Sequence, residues 1–261
     1  MNSSRPLKFT IATVTYNAES TLRRTLDSVA GQTYAHVEHL IIDGCSSDGT
    51  MTLIHRYVDG NAGRPHHIVV IREPDKGLYD AMNKALANAT GHYIVFLNAG
   101  DSLHAPDTLE RLAALAGERS DRWPAVIYGE TDVVDGQGRF VRHRRLATPE
   151  VLTWRSFRWG MLVCHQSFYV RTDLARSETY NMAYRFSADF DWCVRLLKRA
   201  PRLGGIVNSR QVLTDYLSEG LTTRHHSASL RERFRIMAHH YGLADTLWQH
   251  ALFVVRAAVK K

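Results

Sequence analysis

The N-terminal half of the chain repeats one pattern four times: a β-branched or aromatic run, a polar loop, then apolar residues at helical spacing. The predicted strands are 9–16, 37–43, 67–71 and 93–97. Strands and helices that alternate in this way form a mostly parallel sheet with helices on both faces. Right-handed crossovers bring the carboxyl end of each strand to one edge of the sheet, where ligands bind in open α/β folds.

Polar residues follow all four predicted strands, in the segments 15–17, 43–48, 75–77 and 98–101. The loop after the second strand contains no Gly-Lys-Ser/Thr or GxGxxG pattern, so it is neither a P-loop nor a dinucleotide-binding fingerprint. We therefore expect a different kind of ligand site at this edge, although each loop alone is also compatible with an ordinary turn.

The turn Asn98-Ala99-Gly100-Asp101 places one carboxylate directly after a buried strand. Magnesium and manganese often bind through one or two protein carboxylates together with substrate phosphates. Asp101 is therefore a candidate metal ligand, and Asn98 could add a neutral oxygen or bond a sugar hydroxyl. A turn without any ligand is the alternative.

The segment 187–200 has an acidic start and a basic end, which suits the dipole of a helix. Asp189 and Asp191 stand two positions apart, so on a helix their side chains point about 200° apart. One of them could face the ligand edge as a general base while the other caps the helix or forms an ion pair. Alternatively, both serve only the helix dipole.

Composition narrows the class of protein. A net charge of +7 and a pI of about 9.4 favour anionic partners: phosphorylated small molecules, nucleic acid or an acidic membrane. Three widely separated cysteines indicate a reducing compartment. A zinc site is not expected, because no cluster of Cys and His residues has the spacing of zinc ligands. We find no signal-peptide or membrane-spanning pattern, and we expect the adjacent histidine pairs on the surface.

Beyond residue 125 the alternating pattern ends. Shorter strands are predicted at 126–129, 140–143 and 167–170. Residues 221–261 carry seven Arg/Lys against two acids, and 243–261 form a basic amphipathic segment. Such a helix either lies on an anionic membrane or packs on the protein or on a partner subunit.

Four motifs in one order carry a family resemblance: TVTYNAESTLRRTLDSVAGQT, IIDGCSSDGT, EPDKGLYDAMNKALANATGHYIVFLNAGD, and CHQSFYVR with ADFDW. Together they resemble the family 2 glycosyltransferases, which are inverting enzymes with a GT-A fold, and especially bacterial enzymes that build surface polysaccharides and glycolipids. The resemblance covers roughly residues 7–200. It implies an α/β, GT-A type, Rossmann-like sheet followed by a C-terminal helical extension.

The resemblance also implies roles for individual residues. Asp101 matches the last acid of the DxD motif, which holds Mn²⁺ or Mg²⁺ against the diphosphate, whereas Asn98 replaces the first acid. Asp189 matches the catalytic base, and Ala188 replaces the Glu that often precedes it. The nucleotide-sugar is expected to bind at Thr13, Thr15, Tyr16, Asn17, Asp43, Arg72, Lys76 and Asn98. The acceptor side is expected at His165, Gln166 and Asp191.

The predicted organisation is a GT-A domain over 1–215, with a nucleotide-sugar half at 7–125 and an acceptor half at 126–215, followed by a basic helical extension at 216–261. The expected activity is inverting transfer from a nucleotide-diphospho-sugar, most commonly a UDP-sugar in this family, to a glycan or lipid-linked acceptor. We expect a cytoplasmic protein that could bind the inner face of the membrane. The alternatives are a nucleotide-sugar-binding protein without catalysis and a basic nucleic-acid-binding module, although acids at the strand ends disfavour nucleic acid.

Overall fold

The computed structural model describes residues 6–118, 123–218 and 226–259. Within these residues, nine strands form one sheet in the order β3-β2-β1-β4-β8-β6-β9-β5, and β7 pairs with β6. The strands are β1 (Phe9–Thr15), β2 (Val37–Asp43), β3 (His67–Arg72), β4 (Tyr93–Phe96), β5 (Ser102–Leu103), β6 (Val126–Val134), β7 (Phe140–His143), β8 (Phe168–Arg171) and β9 (Ile206–Leu217).

The helices of the described residues flank this sheet on both faces. They are α1 (Leu22–Ala30), α2 (Thr50–Gly60), α3 (Leu78–Asn88), α4 (Thr108–Gly117), α5 (Thr172–Arg176), α6 (Ala188–Arg199), α7 (His226–Tyr241) and α8 (Leu243–Val259). Short 3₁₀ turns lie at Trp154–Trp159, His165–Ser167 and Ala200–Arg202. The α/β fold expected from the sequence is confirmed.

The sheet is parallel in its first half and mixed in its second. Strands β1 to β4 pair in parallel, as the repeated pattern predicts. Strand β8 runs antiparallel to both β4 and β6, and β5 runs antiparallel to β9. Strands β6 and β9 again pair in parallel, so the expected parallel pairing holds for four pairs of the sheet, and the antiparallel strands β5, β7 and β8 are the departure from it.

Alternation along the buried strands separates the two faces of the core. Ala12 and Val14 of β1 pack in the cluster that includes α3 and α6, whereas Ile11 packs in a second cluster with α4. This period of two follows from the geometry of a strand, and its burial on both faces explains the continuous apolar run.

Asn17 does not cap α1, because the helix begins at Leu22 after Thr21.

Helix α7 is fixed to the helix that carries Asp189. Both carboxylate oxygens of Glu232 accept backbone hydrogen bonds from residues 185–187, at 2.6–2.7 Å. His240 Nε2 lies 2.7 Å from Asp191 Oδ1. The side chain of this histidine is 4% exposed and is therefore buried, not on the surface as expected. His66 is also buried, against the carbonyl of Tyr34, and the pair His225-His226 lies outside the described side chains.

Strand β9 passes through residue 215, where the sequence predicts a domain boundary, and ends at Leu217. Within residues 6–118, 123–218 and 226–259, no helix is both long and apolar enough to cross a lipid bilayer.

Candidate active site

The carboxyl ends of β1 and β2 meet at one edge of the sheet. The Thr15 hydroxyl is buried there and has no hydrogen-bond partner among the described residues. The next side chain, Tyr16, is 65% exposed. Asn17 has a positive φ of 48°, and its side-chain oxygen accepts a hydrogen bond from the backbone of Ser47 at 2.9 Å. An unpaired buried hydroxyl beside an exposed aromatic ring is a favourable place for a polar, planar ligand.

Asp43 organises the loop that follows β2. Its fully buried carboxylate accepts hydrogen bonds from the backbone of Ser46 at 2.9 Å and from the Ser46 hydroxyl at 2.5 Å. The Arg72 guanidinium lies 3.5 Å from the same carboxylate and also donates to the Ser46 carbonyl. Asp43 and Arg72 therefore form one unit that leaves the guanidinium about half exposed at the sheet edge.

Gly44 allows the second and third loops to approach each other. A Cβ atom at this position would lie 2.3 Å from Asp75 Oδ2 and 3.4 Å from the Tyr16 ring. Lys76 is exposed in the same loop, and its backbone N–H donates to Asp80. Thr13 lies apart from this edge, because its hydroxyl is buried against His39 Nε2 at 3.0 Å.

The 98–101 turn is held in place by one hydroxyl of α1. Thr25 Oγ1 donates to the carbonyl of Asp101 at 2.7 Å and accepts from the backbone N–H of Gly100 at 2.9 Å. Gly100 has a φ of +102°, and a Cβ atom there would come within 2.7 Å of the Leu217 side chain. The turn thus needs glycine for its backbone conformation, and the Leu217 side chain would have to shift to admit a Cβ atom.

Asp101 is buried at the centre of this region. Gln166 Nε2 donates to Asp101 Oδ2 at 2.8 Å, and the backbone N–H of Leu217 donates to Oδ1 at 3.0 Å. Burial raises the pKa of Asp101 to about 6, although these hydrogen bonds lower it. A cation would relieve this unfavourable burial of charge, and each oxygen keeps a lone pair for it.

A chain of hydrogen bonds joins the 98–101 turn to Asp189. His165 Nδ1 lies 3.2 Å from Asp189 Oδ2, and His165 Nε2 lies 3.2 Å from Asn98 Nδ2. Because Nδ1 faces a carboxylate, it carries the proton, so Nε2 accepts from the Asn98 amide. The Asn98 carbonyl oxygen therefore points away from the imidazole, and it is buried without a partner in the described part of the chain.

Asp189 is a partly exposed carboxylate in the first turn of α6, with 20% of its side chain exposed. Tyr79 donates to its Oδ1 at 3.1 Å. Burial opposes ionisation, but the hydrogen bond from His165 and the positive charge of Arg233 hold the pKa of Asp189 below its ordinary value. The group is therefore ionised at neutral pH and able to accept a proton.

Asp191 points away from this site. Its buried carboxylate pairs with Arg195 Nε at 2.8 Å and with His240 Nε2 at 2.7 Å, which joins α6 to α7. The different directions of the two acids match the helical geometry expected from their spacing. Of the two roles expected from the sequence, Asp191 has the ion pair, and Asp189 faces the sheet edge.

Some residues of the site were not identified from the sequence: Thr25, Tyr79, Tyr216, Leu217 and Arg233. Most of them reach the site from elements distant in the chain. Burial raises the pKa of Tyr216 to about 12, and the nearby carboxylates of Asp101 and Asp189 add to this shift. A tyrosine or a backbone amide carries no sequence signal for such a role.

Asn98 and Asp101 fit a divalent cation. They offer an unpaired buried amide oxygen and a buried carboxylate, which are the hard oxygen ligands that Mg²⁺ and Mn²⁺ prefer. The hydrogen bond from Gln166 Nε2 keeps the Asp101 carboxylate oriented.

The model of the glycosyl transferase family 2 matches residues 10–176, which is more than half of the chain. The chain belongs to this family. A PGL/p-HBAD biosynthesis glycosyltransferase of Mycobacterium bovis is 31% identical over 199 residues, which cover 72% of this chain and 68% of the relative. This family 2 glycosyltransferase is therefore a transferase enzyme.

Solved structures of low identity show the same fold. Staphylococcus aureus TarS 1–349, in a complex with UDP, superposes with a TM-score of 0.66 at 20% identity, covering 95% of this chain and 71% of that one. The mannosyltransferase PcManGT of Pyrobaculum calidifontis, in a complex with GDP-Man and Mn²⁺, gives 0.61 at 16% identity, covering 98% and 81%. The fold is thus of the GT-A type.

Proposed function

We propose that this glycosyltransferase moves a sugar, with inversion, from a UDP-sugar to a hydroxyl of a glycan or lipid-linked acceptor in bacterial surface polysaccharide or glycolipid synthesis. The observation that carries the proposal is the ionised carboxylate of Asp189, joined through His165 to the Asn98–Asp101 turn. A proton acceptor thereby lies next to a strand-end site suited to a nucleotide diphosphate.

The donor would occupy the loops after β1, β2 and β3. The unpaired hydroxyl of Thr15 and the exposed ring of Tyr16 suit the nucleoside, next to Asn17 and the Asp43 loop. Arg72 and the exposed Lys76 supply positive charge for the diphosphate. The TarS and PcManGT structures are complexes with UDP and with GDP-Man, which supports a nucleotide-sugar donor.

Asp101 and Asn98 would hold a divalent cation, Mn²⁺ or Mg²⁺, and Gln166 would keep the carboxylate in place. When bound, such an ion stabilises the negative charge that develops on a departing diphosphate. The buried position of Asp101 strengthens its interaction with a cation, because the local dielectric is low.

Asp189 would accept the proton of the acceptor hydroxyl as that oxygen attacks C1 from the face opposite the diphosphate. His165 and Tyr79 each bind one oxygen of the carboxylate and fix its orientation, which leaves a lone pair on each oxygen. One displacement needs one base, and it inverts the anomeric centre. A hydrolase would instead need two facing carboxylates, whereas Asp191 faces α7.

Asp189→Asn tests the assignment, with Asp59→Asn on an exposed helix end as the matched control. Transfer from a panel of nucleotide-sugars in Mn²⁺ should fall about 10²–10⁴-fold, while donor binding by thermal shift stays near that of the parent protein. Full turnover in Asp189→Asn contradicts the base assignment. Donor binding without transfer or donor hydrolysis in the parent protein favours the alternative function, a nucleotide-sugar-binding protein, which the Asn at position 98 motivates.

Peripheral binding to an anionic membrane is a separate part of the proposal. Leu243, Leu247 and Trp248 are exposed on α8. The apolar positions 254 and 255 and the lysines 260 and 261, which complete the amphipathic pattern, lie outside the described side chains. Deleting 243–261 should abolish co-sedimentation with vesicles rich in phosphatidylglycerol while donor binding persists. Unchanged co-sedimentation would refute membrane binding by this helix.

A further inference from the structure

Two histidines and two aspartates meet on neighbouring strands away from the base. Asp132 on β6 lies directly opposite His143 on β7 and opposite Asp215 on β9. His104 follows β5 and comes from the other side, since β5 pairs with β9. Four separate segments of the chain therefore bring metal-ligating side chains to one place, which explains why no ligand spacing appears in the sequence.

The distances within this group are short. His104 Nδ1 lies 2.7 Å from Asp215 Oδ1, and His143 Nδ1 lies 2.8 Å from Asp132 Oδ1. One ligand atom from each of His104, Asp132 and Asp215 lies within 4.8 Å of the others. Ligands about 2.0–2.1 Å from a tetrahedral ion are roughly 3.3 Å apart. The observed arrangement is thus within about 1.5 Å of a coordination shell, which side-chain rotations can supply.

The charges of the group also favour a cation. The side chains of Asp132 and Asp215 are only 8% and 18% exposed. The guanidinium of Arg24 lies 3.9 Å from Asp215 Oδ2 and donates to Ser102. Among the described side chains, Arg24 is the one permanently charged group within ion-pair distance of these two carboxylates, and it pairs with Asp215 only. Partly buried carboxylates are stable only when they are paired or coordinate a metal.

The group is distinct from the donor site. Successive residues of a strand point to opposite faces, and the Thr214 hydroxyl on β9 donates to the carbonyl of Gln166, the residue that binds Asp101. Asp215 therefore projects to the other face, where α1 supplies Arg24.

We propose that His104, Asp132 and Asp215 bind a Zn²⁺ ion, with water at the fourth position. One imidazole and two carboxylates are ligands that Zn²⁺ accepts, and three protein ligands with one water complete a tetrahedral shell. His104 binds through Nδ1 in the tautomer that carries its proton on Nε2. The ion joins β5 to β6 and β9, and because β5 directly follows Asp101, it stabilises the position of the donor-site turn.

Isothermal titration of the metal-stripped full chain with Zn²⁺ alone, without nucleotide, tests the site. We expect one strong equivalent that persists in Asp101→Asn and in the matched surface control His55→Gln. His104→Gln and Asp215→Asn should each weaken it at least about tenfold. X-ray absorption of the loaded protein should show nitrogen and oxygen ligands near 2.0 Å without sulfur.

Three results would overturn the proposal: no Zn²⁺ binding in the micromolar range, equal affinity in the His104 and Asp215 variants, or loss of binding in Asp101→Asn only. Circular dichroism of each metal-free variant verifies folding. If Asp215→Asn does not fold, the half-exposed His104→Gln decides the outcome by the same titration. Because the readout is binding of the metal alone, failure here is distinct from failure of the proposed transfer reaction.

Discussion

Asp101→Asn should make the metal-free protein more stable at neutral pH while it weakens metal-dependent transfer. Burial raises the pKa of this carboxyl from 3.8 to about 6, and a shift of that size corresponds to about 3 kcal/mol of unfavourable ionisation. An asparagine removes the charge but weakens the hydrogen bonds from Gln166 and Leu217, which costs about 1 kcal/mol. We therefore expect a net gain of about 2 kcal/mol.

The sign of the pH dependence follows from the raised pKa. Between about pH 3.8 and pH 6 the folded protein holds a proton on Asp101 that the unfolded chain releases. The stabilisation from this group is complete below about pH 3.8 and is lost as the pH rises through about 6. The advantage of the asparagine variant should therefore shrink or reverse at low pH.

Urea unfolding in EDTA at pH 7.5 and at pH 4.5 measures both effects, with Asp59→Asn as the exposed control. Mn²⁺ with UDP at pH 7.5 should stabilise the parent protein more than Asp101→Asn, because the ion uses the carboxylate that burial disfavours. A variant less stable than the parent at pH 7.5 by more than about 1 kcal/mol would refute this reasoning, since the buried charge would then be well compensated without an ion.

Three further substitutions test the neighbourhood of the base. His165→Gln should move the acid limb of the kcat–pH profile to higher pH, because His165 holds the pKa of Asp189 down; an unchanged limb would contradict this coupling. Asp191→Asn should lower the free energy of unfolding by about 3 kcal/mol through loss of a buried ion pair, and a urea midpoint equal to the parent's would argue against it. Gly100→Ala should cost about 1–3 kcal/mol because of its positive φ and the close Leu217 side chain, and the same denaturation assay checks the loss.

The first half of the fold was predictable because its physical signals are local. Strand β2 was predicted with the residues that it has in the structure, since a buried parallel strand is a continuous apolar run ended by a polar loop. Strand β9 was not predicted, because polar residues such as Ser209 and Arg210 interrupt its pattern. Strand β5 has only two residues, too few for any periodicity.

The site was predictable where one side chain follows one strand or begins one helix. Asp101 and Asp189 are of this kind, and the structure joins their surroundings through Asn98 and His165. The contact between Asp101 and Leu217 spans 116 positions of the chain. Such a contact depends on the order of strands in the sheet, which no local pattern encodes.

The hydrogen bonds between the Glu232 carboxylate and the backbone of residues 185–187 have a consequence for the design of chimaeras with relatives. The loop that precedes Asp189 is held by a carboxylate more than forty positions downstream. If residues 126–215 of this chain were joined to the C-terminal segment of a relative, Glu232 would be replaced by a residue of that relative. The three hydrogen bonds would then be lost unless the relative had an acid at the equivalent position. A junction placed after Tyr241 would keep α6, which carries Asp189, together with α7, which carries Glu232.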